Sequence, residues 1–361
     1  MHALCVAGAR PNFMKVAPVV RALEDRGVRV TLVHTGQHYD PVMSDVFFAE
    51  LGLRAPDVHL GVGSGSHATQ TGQVMMALEP VVGDLVPDVV VVVGDVNSTM
   101  AAALVGAKAG VRVAHVEAGL RSGDWSMPEE INRVVTDRVS DVLLAPSPDA
   151  VANLRAEGIA AERIHLVGNV MVDTLLAHLD RALAGDPFAR LGVQPGGYGL
   201  VTLHRPANVD DPVVLGGILD ALGRLAAELP LLFPVHPRTR RLLDQLGLPP
   251  GIWTTGPLGY LDFVALEARA RLVLTDSGGV QEETTVLGVP CLTLRDNTER
   301  PITLTEGTNA LVGRDPDQIL AEGRRVLRRG VEPRRPALWD GHAAERIAAV
   351  LVAACTPPDG P

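Results

Sequence analysis

Short, continuous apolar runs alternate with longer amphipathic stretches from one end of the chain to the other. In the first half the runs are Ala3–Ala9, Val28–Thr35, Val89–Val93, Val111–Val116, Val142–Ala145 and Ile164–Val167. In the second half they are Tyr198–Leu203, Leu231–Val235, Ile252–Thr255, Arg271–Thr275, Pro290–Leu294 and Asn309–Val312. Continuous apolarity, rather than alternation, marks strands covered on both faces, as in parallel sheets. Between the runs lie helix candidates such as Lys15–Arg26, Ser98–Lys108, Glu129–Val139, Val213–Leu229 and Asp317–Arg328. Repeated βα units predict an α/β fold with doubly wound parallel sheets, and each half has strands enough for a sheet of its own. A helical stretch, Met171–Leu183, runs into Ala184-Gly185-Asp186-Pro187 and then Gln194-Pro195-Gly196-Gly197. A helix end followed by Pro and Gly reads as a linker. The expected division is therefore residues 1–172 and 173–342, with a last helix over about 343–354 returning to the first domain.

Composition narrows the function. The 361 residues carry 32 basic and 42 acidic side chains, a net charge of −10. Such a chain is a poor bulk binder of nucleic acid or anionic membrane, so an anionic ligand would need a local cationic pocket. Aromatic residues are only 3%, which leaves Val, Leu and Ala to build the core. Cys5, Cys291 and Cys355 are far apart and form no CxxC pair, so buried, reduced thiols are expected. No apolar run reaches the ~18 residues of a membrane span, and Arg10 interrupts the first one, so no signal peptide and a cytoplasmic location are expected.

The unusual polar residues follow the strand ends, where open parallel sheets bind ligands. They are Gly8–Lys15, Thr35–Asp40, Gly94–Thr99, His115–Arg121, His204-Arg205, His236-Pro237-Arg238 and Asp276–Gly279. Two such edges imply two domains facing a cleft. Ser277-Gly278-Gly279 opens a helix behind a strand, with backbone N–H groups and a hydroxyl suited to a phosphate. Glu283, one turn on, could accept two ribose hydroxyls. The same residues could be an ordinary N-cap with dipole-matched acids. Arg10 and Lys15, on a loop and the helix start after it, could neutralise phosphate or be solvated surface cations. Asp95, Glu117 and Glu129 could be general acids and bases. Equally, Asp95 could cap the helix near Ser98, Glu117 could pair with Arg121, and Glu129 could be a first-turn acid. His204 and His236 could hold a diphosphate or act as acids, but no ligand spacing for a metal surrounds them. Gly61-Val62-Gly63-Ser64-Gly65-Ser66 lacks the third glycine of a dinucleotide fingerprint, and no phosphate-binding GxxxxGK[ST] loop is present.

Taken together, these segments resemble the non-hydrolysing UDP-N-acetylglucosamine 2-epimerases over nearly the whole chain. The motifs are GARPNFMK, TGQHYD, VVGDVNST, HVEAGLRSGD, MPEEINR, VGNVMVDT, HPRT, LTDSGGVQEE and RDNTERP. The resemblance implies two Rossmann-like domains arranged as in GT-B glycosyltransferases, a homodimer, a UDP-sugar substrate, a role in polysaccharide biosynthesis, and no NAD or metal cofactor. It implies a route in which UDP leaves by anti elimination as the C2 proton is lost, giving 2-acetamidoglucal, and then adds back with the proton on the opposite face. Carried over by motif, Arg10 and Lys15 would hold UDP, and Asp95, Glu117 and Glu129 would handle protons. His204 would contact the diphosphate and Ser277, Gly278 and Gly279 the phosphate. Glu283 would take the ribose and Phe263 the uracil, with Arg295 and Glu299 on the same side. Gln37, His38, Arg205 and His236 would be candidates for an activator site. Two positions depart from the pattern. His204-Arg205-Pro206-Ala207-Asn208 lacks the usual Glu before Asn, and Ile302 stands where Glu is frequent. The same motifs also serve C6-oxidised or diacetamido UDP-sugars. A hydrolysing 2-epimerase and a GT-B glycosyltransferase are the other readings.

Overall fold

The computed structural model describes residues 1–8, 10–36 and 50–356, without the side chains of residues 10 and 11. It divides into two compact units. One comprises residues to Thr174 together with those from Ala337 on, and the other is Leu175–Pro336.

The first unit holds a seven-stranded parallel sheet. In chain order its strands are β1 (His2–Ala7), β2 (Arg29–His34), β3 (Val58–His59), β4 (Val89–Val93), β5 (Arg112–Val116), β6 (Val142–Ala145) and β7 (Ile164–Leu166). Their spatial order is β3-β2-β1-β4-β5-β6-β7, so the winding reverses between β1 and β4. The five valines of β4 are at most 1% exposed. Each such side chain contributes ~1.5–3 kcal/mol of burial, and this explains why the strand is an unbroken apolar run.

The second unit repeats the pattern. Its strands are β8 (Gly199–Thr202), β9 (Leu231–Pro234), β10 (Ile252–Thr255), β11 (Leu272–Thr275), β12 (Cys291–Thr293) and β13 (Asn309–Leu311). They are ordered β10-β9-β8-β11-β12-β13, all parallel, with the reversal between β8 and β11. Both reversal points are where a doubly wound sheet opens a crevice for ligand.

The chain leaves the first unit inside the helix Val170–Ala184, between Thr174 and Leu175. Asp173, in that helix, explains where the returning chain docks. Its carboxylate accepts from the backbone N–H groups of Ala343 (3.1 Å) and Ala344 (2.7 Å), which start the helix Ala343–Cys355. This is a cap supplied from another element, and it satisfies donors that a helix start leaves open. The helix packs on the helix Arg10–Glu24, and fully buried Trp339 donates from its indole to the carbonyl of Pro146. The helix expected from Lys15 begins at Arg10 instead, with Pro11 at its second position, where a missing N–H costs nothing. A 19-residue helix, His67–Leu85, was not foreseen. Ser66 caps it by accepting from the Thr69 N–H, so the Gly-Ser run before it serves as a helix entry. Among the described residues, no helix is long and apolar enough to cross a membrane.

Candidate active site

The first unit's polar groups gather at the ends of β4 and β5. Gly94 follows β4 in the left-handed region (φ +70°). It is held by its N–H to Val116 O (3.1 Å) and by its carbonyl, which accepts from His115 Nε2 (2.8 Å). The other nitrogen of His115 faces Asp137 at 2.6 Å, and both side chains are buried. A side chain on Gly94 would put a Cβ 3.2 Å from Lys15 Nζ, 3.3 Å from Asn12 Nδ2 and 3.7 Å from Glu117 Oε2. The glycine therefore leaves room for three polar groups around one point. Lys15 Nζ donates to Glu117 Oε2 at 2.5 Å, with both side chains buried.

Glu117 has φ +70° despite being neither glycine nor Asn. Such a conformation costs ~1–3 kcal/mol and persists only where the surroundings dictate it. Here the Glu117 and Ala118 N–H groups both donate to Leu144 O, which fixes the turn. Glu117 Oε1 is buried and, among the described residues, has no hydrogen-bond partner. A buried carboxylate oxygen without a donor is costly, and it leaves acceptor capacity that a bound hydroxyl or an acidic C–H could use.

Asp95 does not cap the next helix, which starts at Asn97 behind an uncapped Val96. Its carboxylate instead accepts from Arg133 Nη1 at 2.5 Å, and its carbonyl accepts from Asn132 Nδ2 at 2.9 Å. Arg133 is almost fully buried and donates through its other nitrogens to Glu130. Glu130 also accepts from the N–H groups of Ser122 and Gly123. Burial would raise the Glu130 carboxyl, but those N–H groups and Arg133 reverse the effect and hold it below the usual range. Glu129 precedes it, half-buried in the first turn of the helix Pro128–Val139.

The second unit's polar groups gather at the ends of β8, β11 and β12. The helix Gly278–Leu287 starts at Ser277, whose hydroxyl makes no cap bond, and its first turn has no acid. The ordinary-cap reading of this turn therefore fails, and its leading N–H groups are left for another acceptor. A Cβ on Gly278 would lie 2.6 Å from Arg300 Nη1 and 2.7 Å from Glu299 Oε1. Only glycine lets that pair approach the helix start. Glu299 is ringed by Arg300 (2.6 Å), Arg295 (2.7 Å) and Arg205 (3.5 Å), and Arg300 also meets Glu282 at 2.6 Å. Burial would push the Glu299 carboxyl up, but the three guanidinium groups hold it far below its ordinary range. Three arginines thus converge on the two carboxylates Glu299 and Glu282, and among the described residues Arg295 Nη1 is buried with no hydrogen-bond partner.

Asp276, fully buried, aligns the neighbouring loop. It accepts from the N–H groups of His204 and Arg205, from Asn208 Nδ2 and, at 2.9 Å, from His204 Nδ1. Half-exposed His204 is thereby held with its other nitrogen free of that bond.

A family model for UDP-N-acetylglucosamine 2-epimerase matches residues 21–352. The chain belongs to the UDP-N-acetylglucosamine 2-epimerase family. It is 43% identical to the UDP-N-acetylglucosamine 2-epimerase of Methanocaldococcus jannaschii, with 96% of this chain and 97% of that protein covered. It is 42% identical to a UDP-2,3-diacetamido-2,3-dideoxy-D-glucuronate 2-epimerase of Pseudomonas aeruginosa, covering 97% and 99%. Among solved structures, the M. jannaschii UDP-GlcNAc 2-epimerase crystallised with UDP-GlcNAc and UDP is similar at a TM-score of 0.91 and 41% identity, covering 98% and 100%.

Within this epimerase-family frame, the residues singled out from sequence fall into two groups. Lys15, Glu117, Asp95 and Glu129 belong to the first unit. His204, Arg205, Phe263, Ser277, Gly278, Gly279, Glu283, Arg295 and Glu299 belong to the second. Gln37 and His38 lie outside the described residues, as does the side chain of Arg10. His236, exposed, caps the helix Pro237–Leu246 by accepting from the Arg238 N–H (3.2 Å), with its ring 6.2 Å from that of His204. Glu117 pairs with Lys15 rather than Arg121, which engages Asp137 and Glu157 instead. Sequence reasoning missed Asn12, Arg133, Asp276 and Arg300. Arg133 stands four residues after Glu129, on the same helical face, and that spacing was the available signal.

Proposed function

We propose that this chain interconverts UDP-GlcNAc and UDP-ManNAc at C2 by elimination and re-addition of UDP. The observation that carries the reading is Glu117, with its strained backbone, one oxygen on Lys15 and the other buried without a donor. In the elimination a carboxylate takes the C2 proton, the C2–H electrons form the C1=C2 bond, and the C1–O bond breaks with its electrons leaving on UDP. In the return step UDP oxygen attacks C1 and an acid delivers the proton to the other face of C2. Every atom is accounted for without a redox partner. Asp95, Glu117 and Glu129 are assigned the proton handling, and Lys15 with Arg10 the charge of the leaving diphosphate. The second unit is assigned the nucleotide. Ser277, Gly278, Gly279 and His204 would hold phosphate oxygens, with the guanidinium groups of Arg205, Arg295 and Arg300 behind them. Phe263, half-buried, would pack on uracil, and Glu283 would accept the ribose hydroxyls. The family resemblance supports a homodimer, a cytoplasmic setting and a place in polysaccharide biosynthesis.

The test is incubation with UDP-GlcNAc in deuterated water, followed by proton NMR. The reading expects deuterium at C2 and a UDP-ManNAc signal with no acceptor present. Retention of the C2 proton would refute it, and accumulation of free UDP with ManNAc would mark a hydrolase. The similarity to the Pseudomonas diacetamido-glucuronate enzyme supports a second substrate reading. Running the C6-oxidised diacetamido UDP-sugar in parallel decides between them by relative kcat/KM.

A further inference from the structure

Two carboxyl groups are buried against each other in the second unit, and among the described residues neither has a cation beside it. Glu267 is 0% exposed and Glu283 is 5% exposed. Glu267 stands on the helix Tyr260–Ala268, on the same face as Tyr260 and Phe263, which lie seven and four residues earlier. Tyr260 Oη donates to Glu283 Oε1 at 3.2 Å, and the Glu267 carboxyl is within hydrogen-bonding reach of Glu283. As two ionised groups they could form no hydrogen bond, and neither Glu267 oxygen has a donor among the described residues. The titratable neighbours are Tyr260 on the Glu267 helix and Glu282 on the Glu283 helix. His178 lies with its ring 6.3 Å from Tyr260, and Cys291 on β12 is adjacent to Glu267. Glu282 is already paired with Arg300. The charges that act on the two carboxyls are each other's and that of Glu282. An isolated buried carboxylate in such surroundings takes up a proton instead of staying charged.

We propose that Glu267 is a positioning residue for nucleotide recognition: as a neutral acid it donates a hydrogen bond to Glu283 and, with Tyr260, keeps that carboxylate ionised for the ribose hydroxyls. The proposal rests on the reading that Glu283 takes the ribose. Burial pushes Glu283 up to about 7, against the opposing hydrogen bonds from Tyr260 and Glu267, and Glu282 adds to the rise. Burial, followed by the charge of Glu283, pushes Glu267 well above the carboxylate range. The sign follows. As pH falls through about 7, Glu283 gains a proton, loses acceptor capacity and binds ribose more weakly. Nucleotide binding in that window releases a proton.

The test is calorimetric titration of the enzyme with UDP-GlcNAc, whose diphosphate carries no group titrating near neutrality. Wild type, Glu267→Gln and Glu267→Leu are measured between about pH 5.5 and 8.5. Glu267→Gln keeps an N–H donor and should bind within about threefold of wild type throughout. Glu267→Leu loses the donor. Its acid limb should shift up by about one pH unit, giving about fivefold weaker binding at pH 7 and about tenfold at pH 6. A Leu variant that binds like wild type overturns the proposal, as does a Gln variant as weak as Leu. If the Leu variant does not fold, infrared spectroscopy of the other two at pH 8 decides. Wild type should show the carbonyl stretch of a protonated carboxyl that Glu267→Gln lacks, and identical spectra overturn the proposal. Glu283→Ala separates the two levels. Undiminished affinity there rejects the ribose assignment itself. Weakened affinity with the Glu267 expectations unmet rejects only the role of Glu267.

Discussion

Replacing Gly94 by Ala tests whether the space at the end of β4 serves chemistry or only folding. Two costs follow from the structure. At φ +70° an alanine Cβ is strained by ~1–2 kcal/mol whatever its surroundings. The new methyl also sits 3.2 Å from Lys15 Nζ and 3.3 Å from Asn12 Nδ2, so these must give way by a few tenths of an ångström. The second cost falls on the Lys15–Glu117 pair. Gly110 supplies the control. It lies in the same unit at φ +72° with no atom within 4 Å of where its Cβ would be. Gly110→Ala therefore carries the strain without the intrusion. Both variants should lose ~2–8 °C in Tm, using the response of a domain of 150–250 residues. Only Gly94→Ala should lose turnover, by ~10- to 100-fold, as expected when a catalytic pair is displaced by a fraction of an ångström. The assays are thermal melting and NMR-monitored C2 exchange in deuterated water. If the two variants melt alike and exchange alike, the space at Gly94 has no catalytic meaning and the assignment of the Lys15–Glu117 pair fails with it.

Glu117→Gln keeps the shape and removes the charge, so kcat should fall by ~10²-fold or more while UDP affinity, measured by calorimetry, changes little. Arg133→Met should leave Glu130 buried without its cation and Asp95 unheld. A loss of ~3–5 kcal/mol in denaturant unfolding is expected, and a variant as stable as wild type would show that the network is dispensable. The Glu299 carboxyl is held far below its unfolded value by Arg300, Arg295 and Arg205 against the opposing effect of burial. It therefore stabilises the fold fully above about pH 5 and loses that contribution as pH falls. Arg300→Gln should flatten this acid limb in melting curves. The buried pair Glu267–Glu283 has the opposite sign, raised above the unfolded range, so ligand-free stability should decline as pH rises through about 7. Glu267→Gln should make the decline beyond pH 7 shallower.

The fold was largely legible because parallel strands are buried on both faces and leave unbroken apolar runs. All twelve runs correspond to strands, and the thirteenth strand, Val58–His59, is two residues at a sheet edge with no run to read. The helix starts were less legible. Arg10 and Pro11 read as loop because a proline after a strand signals a turn, yet at the second helical position it costs nothing. In the candidate site, position was legible for single residues, as with Ser277 at a helix start before two glycines or Glu117 after a strand end.

What the sequence did not disclose is pairing. Lys15 meets Glu117 across 102 positions and Asp95 meets Arg133 across 38. Neither spacing is periodic, and both are set by which strand ends the winding brings together. Charge balance follows the same rule. Asp276, Glu282 and Glu299 are three acids around the turn at Ser277, and left unpaired they would repel an anion. The fold converts them. Asp276 is taken up by His204 and the loop N–H groups, and Glu282 and Glu299 are paired with Arg205, Arg295 and Arg300. The sign of the field at the helix start is thus decided by the partners of these carboxylates, and only the structure supplies those partners. The same logic makes Glu267 conspicuous. It is a fully buried carboxyl for which, among the described residues, the fold provides no cation, so its neutral form is the one the interior can hold.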